Sequence, residues 1–125
     1  TNFAPTARRF DMGERDHFIS LEMAAVGMEM MAEWGAGAIS ARLGVLTDRL
    51  AEGLASESLT EKRFRVPHIL SIGFPGGMPE GLVEKLAAAG AHVAPRLGRV
   101  RISPHVYNDE ADVDRFLEIW RNIKR

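Results

Sequence analysis

Apolar side chains between residues 18 and 34 recur on nearly every side of the helix that their spacing predicts. A helix that is apolar all round is usually buried or packed between two partners. The pattern leaves two interpretations: the helix has a neighbour that this chain lacks, or it is a methionine-rich core helix, because Met fills irregular cores readily. In the second interpretation Glu22, Glu29 and Glu33 mark a narrow solvent-exposed face of the helix. The apolar members are Phe18, Leu21, Met23, Val26, Met28, Met30, Met31 and Trp34.

A regular apolar stripe predicts a second, amphipathic helix over residues 38–54, after Gly35 and Gly37 break the first helix. A polar connection is expected over 56–62. The β-rich run that follows predicts a strand over 66–74. The stripe of the second helix consists of Ile39, Leu43, Leu46, Leu50 and Leu54.

The rest of the chain alternates between short strands and helices. A helix is predicted over 79–89, since Pro suits the first turn and Gly90 suits the stop. Two short strands joined by a turn are predicted over 92–95 and 99–103. Either Asn108 or Asp109 caps the last helix. Its apolar stripe is Val113, Phe116, Leu117, Trp120 and Ile123.

This order of elements predicts an α+β fold. We expect a small, mostly antiparallel sheet of about three strands, covered by helices on one face and preceded by a long helix. Residues 1–16 are predicted to be an extended arm, and residues 17–125 to be one small domain. The chain lacks an initiating Met, so we expect it to be a fragment of a longer protein.

Composition excludes several classes of function. The 125 residues carry a formal net charge of −1, which gives no electrostatic case for binding nucleic acid or an anionic membrane. There is no cysteine, so disulfides, thiolate nucleophiles and cysteine metal ligands are excluded. No apolar run approaches the roughly 20 residues of a membrane span, and the polar start contains no signal peptide. A cytoplasmic location is expected.

Residue types alone indicate little chemistry. The four histidines, His17, His68, His92 and His105, are not spaced as metal ligands, and no metal site is predicted. The segment 73–77 is glycine-rich but lacks the lysine and glycine spacing of a phosphate loop, so it is interpreted as a turn that ends a strand.

Three arginines, Arg96, Arg99 and Arg101, lie within six positions around the predicted turn. Arg99 and Arg101 would point to the same face of a strand, because side chains alternate with a period of two. Their guanidinium groups could hold a carboxylate by paired hydrogen bonds. The other interpretation, which spacing alone favours, is an exposed basic edge that discourages strand aggregation.

Two segments resemble the class V aminotransferase family, which includes cysteine desulfurases, selenocysteine lyases, isopenicillin-epimerase-like enzymes and kynureninases. They are Arg-Phe-Asp-Met-Gly-Glu at 9–14 and Arg-Ile-Ser-Pro-His-Val-Tyr-Asn at 101–108. The likeness extends over essentially the whole chain and identifies it as similar to the C-terminal small domain, nearest the selenocysteine lyase and isopenicillin-epimerase-like members.

The resemblance implies a role for Arg101, since the arginine that opens the second motif in these enzymes binds the α-carboxylate of the amino-acid substrate. Arg96 is a secondary candidate for the same carboxylate. His105, Tyr107 and Asn108 match the motif and are interpreted as structural: the first two as packed rings and Asn108 as a helix cap. It assigns no catalytic residue and no cofactor-binding residue to this chain.

The resemblance also implies partners that this chain lacks. In the family the lysine and aspartate that hold pyridoxal phosphate (PLP) lie on an upstream large domain, so PLP is expected in the parent enzyme and not covalently on this chain. The parent enzyme is expected to be a homodimer. Because no cysteine precedes Arg101, a desulfurase of the persulfide type is disfavoured, and an aminotransferase, an epimerase-like enzyme or a C–S lyase fits better. The alternative is a free-standing module that uses its apolar helix to bind a protein and catalyses nothing.

Overall fold

The structure is a computed structural model that describes residues 5–6 and 18–124. The chain divides into two units, Thr1–Ala36 and Gly37–Arg125. The predicted arm lies outside the described residues, apart from residues 5–6, and so does the motif at 9–14. Among the described helices, none is long and apolar enough to cross a bilayer.

The first unit contains helix α1, Phe18–Trp34, which has the predicted bounds. It ends at Gly35, whose φ of +78° lies in the left-handed region and whose N–H donates to the carbonyl oxygen of Met31 at 3.1 Å. Its large apolar side chains from Ile19 to Trp34 are exposed, from 41% at Met31 to 72% at Met23. The interpretation of α1 as a methionine-rich core helix is therefore wrong for this chain, because these side chains face solvent and not a core.

The second unit contains three helices and four strands. Helix α2 runs from Ala36 to Gly53 and starts two residues earlier than predicted. A single 3₁₀ turn, Lys62–Phe64, lies between the first two strands. The other elements are β1 (Ser58–Leu59), β2 (Leu70–Gly73), α3 (Leu82–Ala88), β3 (Ala94–Arg96), β4 (Arg99–Ile102) and α4 (Glu110–Lys124).

The strands form one antiparallel sheet in the order β1-β2-β4-β3. The predicted α+β class is confirmed, but the expected number of about three strands is one too low. The additional strand, β1, lies in the stretch 56–62 that was predicted to be a polar connection. Two residues are too few to produce the apolar alternation that reveals a strand.

The core lies on one face of the sheet, and α2, α3 and α4 cover that face. Leu70, Ile72, Val100 and Ile102 alternate along β2 and β4 and are buried. They pack in one cluster with helix residues that include Leu46, Leu50, Leu86, Leu117 and Trp120. The opposite face of the sheet therefore carries the intervening residues of the same strands.

Turns and caps set the limits of the elements. Leu97 and Gly98 join β3 to β4 with φ values of +50° and +72°, the positive pair that a tight type I′ hairpin needs. Asp109 is the cap of α4: its carboxylate accepts from the Asp112 N–H at 3.0 Å, and the Asp112 carboxylate accepts from the Asp109 N–H at 3.2 Å. The choice between Asn108 and Asp109 is thus resolved in favour of Asp109.

Candidate functional site

Three arginines lie on the sheet face opposite the core, which we call the arginine face. Arg99 and Arg101 alternate with the buried Val100 and Ile102 on β4. Across the sheet, Arg101 pairs with Ser71 on one side and Ala94 on the other, and Arg99 pairs with Arg96. The prediction that Arg99 and Arg101 share a face is therefore confirmed.

Strand order bears on the alternative of a protective basic edge. β4 lies between β2 and β3, so Arg99 and Arg101 are on an interior strand. Charged residues protect a sheet only where an edge strand leaves backbone groups unpaired. Only Arg96, on the edge strand β3, can act in that way, and the edge interpretation is wrong for the other two arginines.

Arg99 is held flat across the sheet by neutral acceptors. Its Nε donates to the Ser71 hydroxyl at 2.8 Å, and its Nη2 donates to the Ser71 carbonyl oxygen at 3.1 Å. The same Nη2 reaches the Ser58 carbonyl oxygen at 3.3 Å and the Thr60 hydroxyl at 3.4 Å. These bonds tie β4 to β2 and β1 and fix the direction of the guanidinium group.

Gly73 makes room for that arrangement. An ideal Cβ added to Gly73 would lie 2.5 Å from Nη1 and 3.0 Å from Cζ of Arg99. Contacts that short are closer than van der Waals separation, so any larger residue would displace the guanidinium group. The glycine is needed here for close approach, as is typical of Gly within a strand.

Arg101 has an unsatisfied donor. Its Nε is buried and has no hydrogen-bond acceptor among the described residues. A buried polar group without a partner costs about 1–3 kcal/mol, and such a group in a native protein calls for an explanation. A bound anion that drew the side chain toward it would supply the missing acceptor.

Arg96 is exposed on β3, and its side chain makes no hydrogen bond or ion pair among the described residues. The register places it directly opposite Arg99, while the residue opposite Arg101 is Ala94. Both candidate residues, Arg96 and Arg101, therefore share the arginine face, with Arg99 between them.

Several described carboxylates are paired with basic groups other than Arg96, Arg99 and Arg101. Glu110 receives hydrogen bonds from Arg42, and these hold the pKa of its carboxyl below the usual value. Asp114 receives two from Arg49, at 2.8 and 2.7 Å, with the same effect on its pKa. The other ion pairs among residues 18–124 are Lys62–Asp48, Arg63–Glu61 and Lys124–Glu57. No described carboxylate forms an ion pair with an arginine of the arginine face.

The rest of the 101–108 motif shapes the chain that leads into α4. The rings of His105 and Tyr107 stack with centroids 5.1 Å apart, but both residues are exposed, Tyr107 by 81%. They are packed on each other and not into the core, which corrects their interpretation as packed rings. Asn108 lies one residue before the cap and does not cap the helix itself. Its Oδ1 accepts a hydrogen bond from the His105 N–H at 2.9 Å.

Histidines and lysines are other side chains of this chain that could bind a metal or a cofactor. His68, His92 and His105 are exposed, and residues 18–124 contain no group of three metal-ligating side chains; His17 lies outside the described residues. PLP needs a lysine amine beside an aspartate that can reach the pyridine nitrogen. Lys62 is paired with Asp48 at the surface, and Lys124 with Glu57, while Lys85 is exposed on α3 without a carboxylate partner. The described residues therefore do not fit a PLP site.

A cavity of about 130 Å³ lies elsewhere, near the start of α4. His92, Ser103, Asn108 and Phe116 are among its lining residues, and none of the three arginines lines it. The arginine face is thus an open surface and not part of this cavity.

Three residues that hold or make room for Arg99 could not be found from sequence motifs. Ser71, Gly73 and Thr60 contribute through the cross-strand register, and they lie 26 to 39 positions from Arg99. The alternation of small or polar residues with Leu70 and Ile72 is the one signal that marks Ser71 and Gly73 as facing away from the core.

Comparisons with known proteins bear on the fold. No protein-family model and no curated protein sequence matches the chain. Among solved structures, it is similar to a NifS-like protein, with 24% identity, a TM-score of 0.76, and coverage of 98% of this chain and 38% of that one. It is also similar to an alanine–glyoxylate aminotransferase from Nostoc sp., with 19% identity, a TM-score of 0.68, and coverage of 96% and 34%.

The chain thus spans between 34% and 38% of the length of these two structures. Sequence identity of 24% or less shows a shared fold and not a shared function, because one fold can carry many functions. The order of elements, the four-stranded antiparallel sheet and these two likenesses agree: the chain has an α+β fold shared with the matched part of these two structures.

Proposed function

We propose that this chain is the substrate-carboxylate-binding lobe of a PLP-dependent aminotransferase or lyase that acts on an amino acid. Arg101 binds the substrate α-carboxylate in this proposal, and Arg96 is a secondary contact. PLP belongs to an upstream large domain, so the lobe is inactive alone. We place the parent enzyme in the cytoplasm as a homodimer, nearest to selenocysteine lyases and isopenicillin-epimerase-like enzymes.

The observation that carries this proposal is the buried Nε of Arg101, which has no acceptor within the described residues. The fold supports it, since one of the two similar structures is named as an alanine–glyoxylate aminotransferase. A carboxylate is the natural acceptor, because the guanidinium fork matches its two oxygens.

The lobe's contribution to catalysis would be orientation. A planar, permanently charged fork on a rigid interior strand fixes the α-carboxylate, and so fixes which bond at Cα is presented for cleavage. PLP, when held by the large domain, supplies the electron sink for that cleavage. The hydrogen bonds of Arg99 to β2 and β1 stiffen the strand that carries Arg101.

The test uses the enzyme expressed from the reading frame that includes the upstream domain. Arg101→Ala should lower kcat/KM by about 30-fold or more, which corresponds to the roughly 2–5 kcal/mol lost when a charged pair loses one member. Arg121→Ala, an exposed arginine on α4, is the matched control and should leave kcat/KM unchanged. An unchanged kcat/KM in Arg101→Ala would refute the carboxylate role.

A second candidate function is a protein-binding module without catalysis. The exposed apolar side chains of α1 favour it, because contiguous apolar surface of this kind commonly marks an interaction site. The two candidates differ in what they need from the arginine face: partner binding through α1 would be insensitive to Arg101→Ala, and catalysis would not.

A further inference from the structure

The charge of the arginine face exceeds what one carboxylate requires. Arg96, Arg99 and Arg101 place three positive charges on one face, and no described carboxylate is paired with any of them. Arg96 and Arg99 are directly opposite in register, an arrangement in which like charges repel. Three unpaired arginines therefore form a strongly positive surface that an anion would stabilise.

The charge is divided between two positions. Arg101 and Arg99 are two residues apart on β4, so their Cα atoms are separated by roughly 6–7 Å along the strand. At the first position the unsatisfied donor is Nε of Arg101. At the second, Arg99 uses Nε and Nη2 for the sheet, while its Nη1 lies over Gly73 and makes no hydrogen bond among the described residues. Arg96 lies beside the second position.

We infer that the amino acid bound at this face carries a second anionic group, which makes it an acidic amino acid with a side-chain carboxylate or an isosteric oxyanion. The inference rests on the proposed function, in which Arg101 holds the α-carboxylate. Nη1 of Arg99 and the guanidinium group of Arg96 bind the side-chain anion.

Arg99 and Arg96 have different roles in binding the side-chain anion. Arg99 is fixed by Ser71, Ser58 and Thr60, so its Nη1 offers a donor whose direction is already determined. Arg96 is exposed and makes no competing contact within the described residues, so it can move to close on a ligand. Arg99 thus positions the ligand and Arg96 closes on it. A donor that is fixed before binding lowers the entropy cost of binding.

The experiment is a titration of the full 125-residue chain, followed by NMR through the backbone amides of β4 and the arginine Nε–H groups. The probes are two isosteric pairs, L-aspartate with L-asparagine and L-glutamate with L-glutamine, at low ionic strength where screening is weak. We expect the acid of at least one pair to bind about three- to tenfold more tightly than its amide, the size expected of one or two partly exposed ion pairs.

Arg96→Gln is the main variant, because Arg96 makes no hydrogen bond among the described residues and its loss leaves the sheet intact. It should lower the affinity for the acid more than the affinity for the amide, and so reduce the preference for the acid. Arg99→Gln should do the same, although the loss of its bonds to Ser71 also weakens the sheet. Arg121→Gln on α4 should keep the preference.

The outcomes separate this inference from the proposed function. If acid and amide bind equally and both are lost in Arg101→Gln, the inference is overturned and the carboxylate role stands. If the acid preference persists in both Arg96→Gln and Arg99→Gln, the inference is also overturned. If binding survives Arg101→Gln, or if none of the four amino acids binds, the proposed function and the inference fail together.

Discussion

At the scale of single residues, the space above Gly73 determines whether Arg99 can lie across the sheet. Nη1 of Arg99 would be 2.5 Å from a Cβ at this position. Gly73→Ala should therefore displace the guanidinium group and weaken its bonds to Ser71, at a cost of about 1–2 kcal/mol in the free energy of unfolding. Urea denaturation measures this cost. Gly76→Ala is the control, since no heavy atom lies within 4 Å of its Cβ.

A double-mutant cycle makes that prediction specific. In an Arg99→Ala background there is no guanidinium group to displace, so Gly73→Ala should cost clearly less than it does in the wild type. Equal costs in the two backgrounds would show that the methyl group acts on the strand itself and would contradict the role assigned to Gly73.

At the scale of elements, Glu57 attaches the end of α4 to the segment before β1. Its carboxylate accepts from Trp120 Nε1 at 3.0 Å and from Lys124 Nζ at 2.7 and 2.8 Å, and its side chain is only 12% exposed. Burial alone would raise the pKa of the Glu57 carboxyl, but the bonds from Lys124 and Trp120 outweigh it, and the pKa lies below the ordinary value.

The sign of the resulting pH dependence follows from that lowered pKa. A carboxyl whose pKa is lower in the folded state adds stability above its unfolded pKa, and this contribution is lost as pH falls through the folded pKa. Glu57→Gln should therefore reduce the free energy of unfolding by about 1–2 kcal/mol near neutral pH, and the difference should shrink below about pH 4. Urea unfolding at several pH values measures it.

Glu118→Gln is the matched control for this prediction, because Glu118 lies exposed on the same helix and makes no hydrogen bond or ion pair among the described residues. Its effect should be small at every pH. A Glu57→Gln deficit that stayed constant down to acid pH would contradict the ionic attachment of α4.

Elements with a sustained apolar period could be predicted from sequence, and those fixed by tertiary register could not. The stripe of α4 and the run around Leu70 and Ile72 gave the right element types, because burial of one face imposes the period. β1 was missed because two residues carry no period. The strand order could not be read from local pattern, and it is this order that moves Arg101 from a presumed edge to the interior of the sheet.

The residues of the candidate site also divide into those that a local pattern predicts and those that only tertiary register brings together. A motif and the alternation of β4 were enough to select Arg101 and to place Arg99 on its face. The contacts of Arg99 with Ser71 and Thr60 join residues 28 and 39 positions apart, so they depend on a register that no local pattern encodes.

At the scale of the whole molecule, helix α1 exposes eight large apolar side chains among the described residues. The chain spans little more than a third of the structures it resembles, and the apolar side chains of α1 are exposed. Contiguous apolar surface associates in water, because burial removes it from solvent at about 25 cal/mol per Å².

We therefore expect the 125-residue chain to self-associate through α1 in a concentration-dependent way, which sedimentation velocity or light scattering would measure. Met23→Glu with Met28→Glu, which changes the two most exposed methionines of α1 at 72% and 70%, should shift the chain toward the monomer. Val45→Glu, at an exposed position of α2, is the control and should leave association unchanged. A wild-type chain that stays monomeric over the whole concentration range would contradict the prediction, because there would be no self-association to explain. Equal effects of the α1 and α2 variants would also contradict it, because the association could then not be assigned to α1.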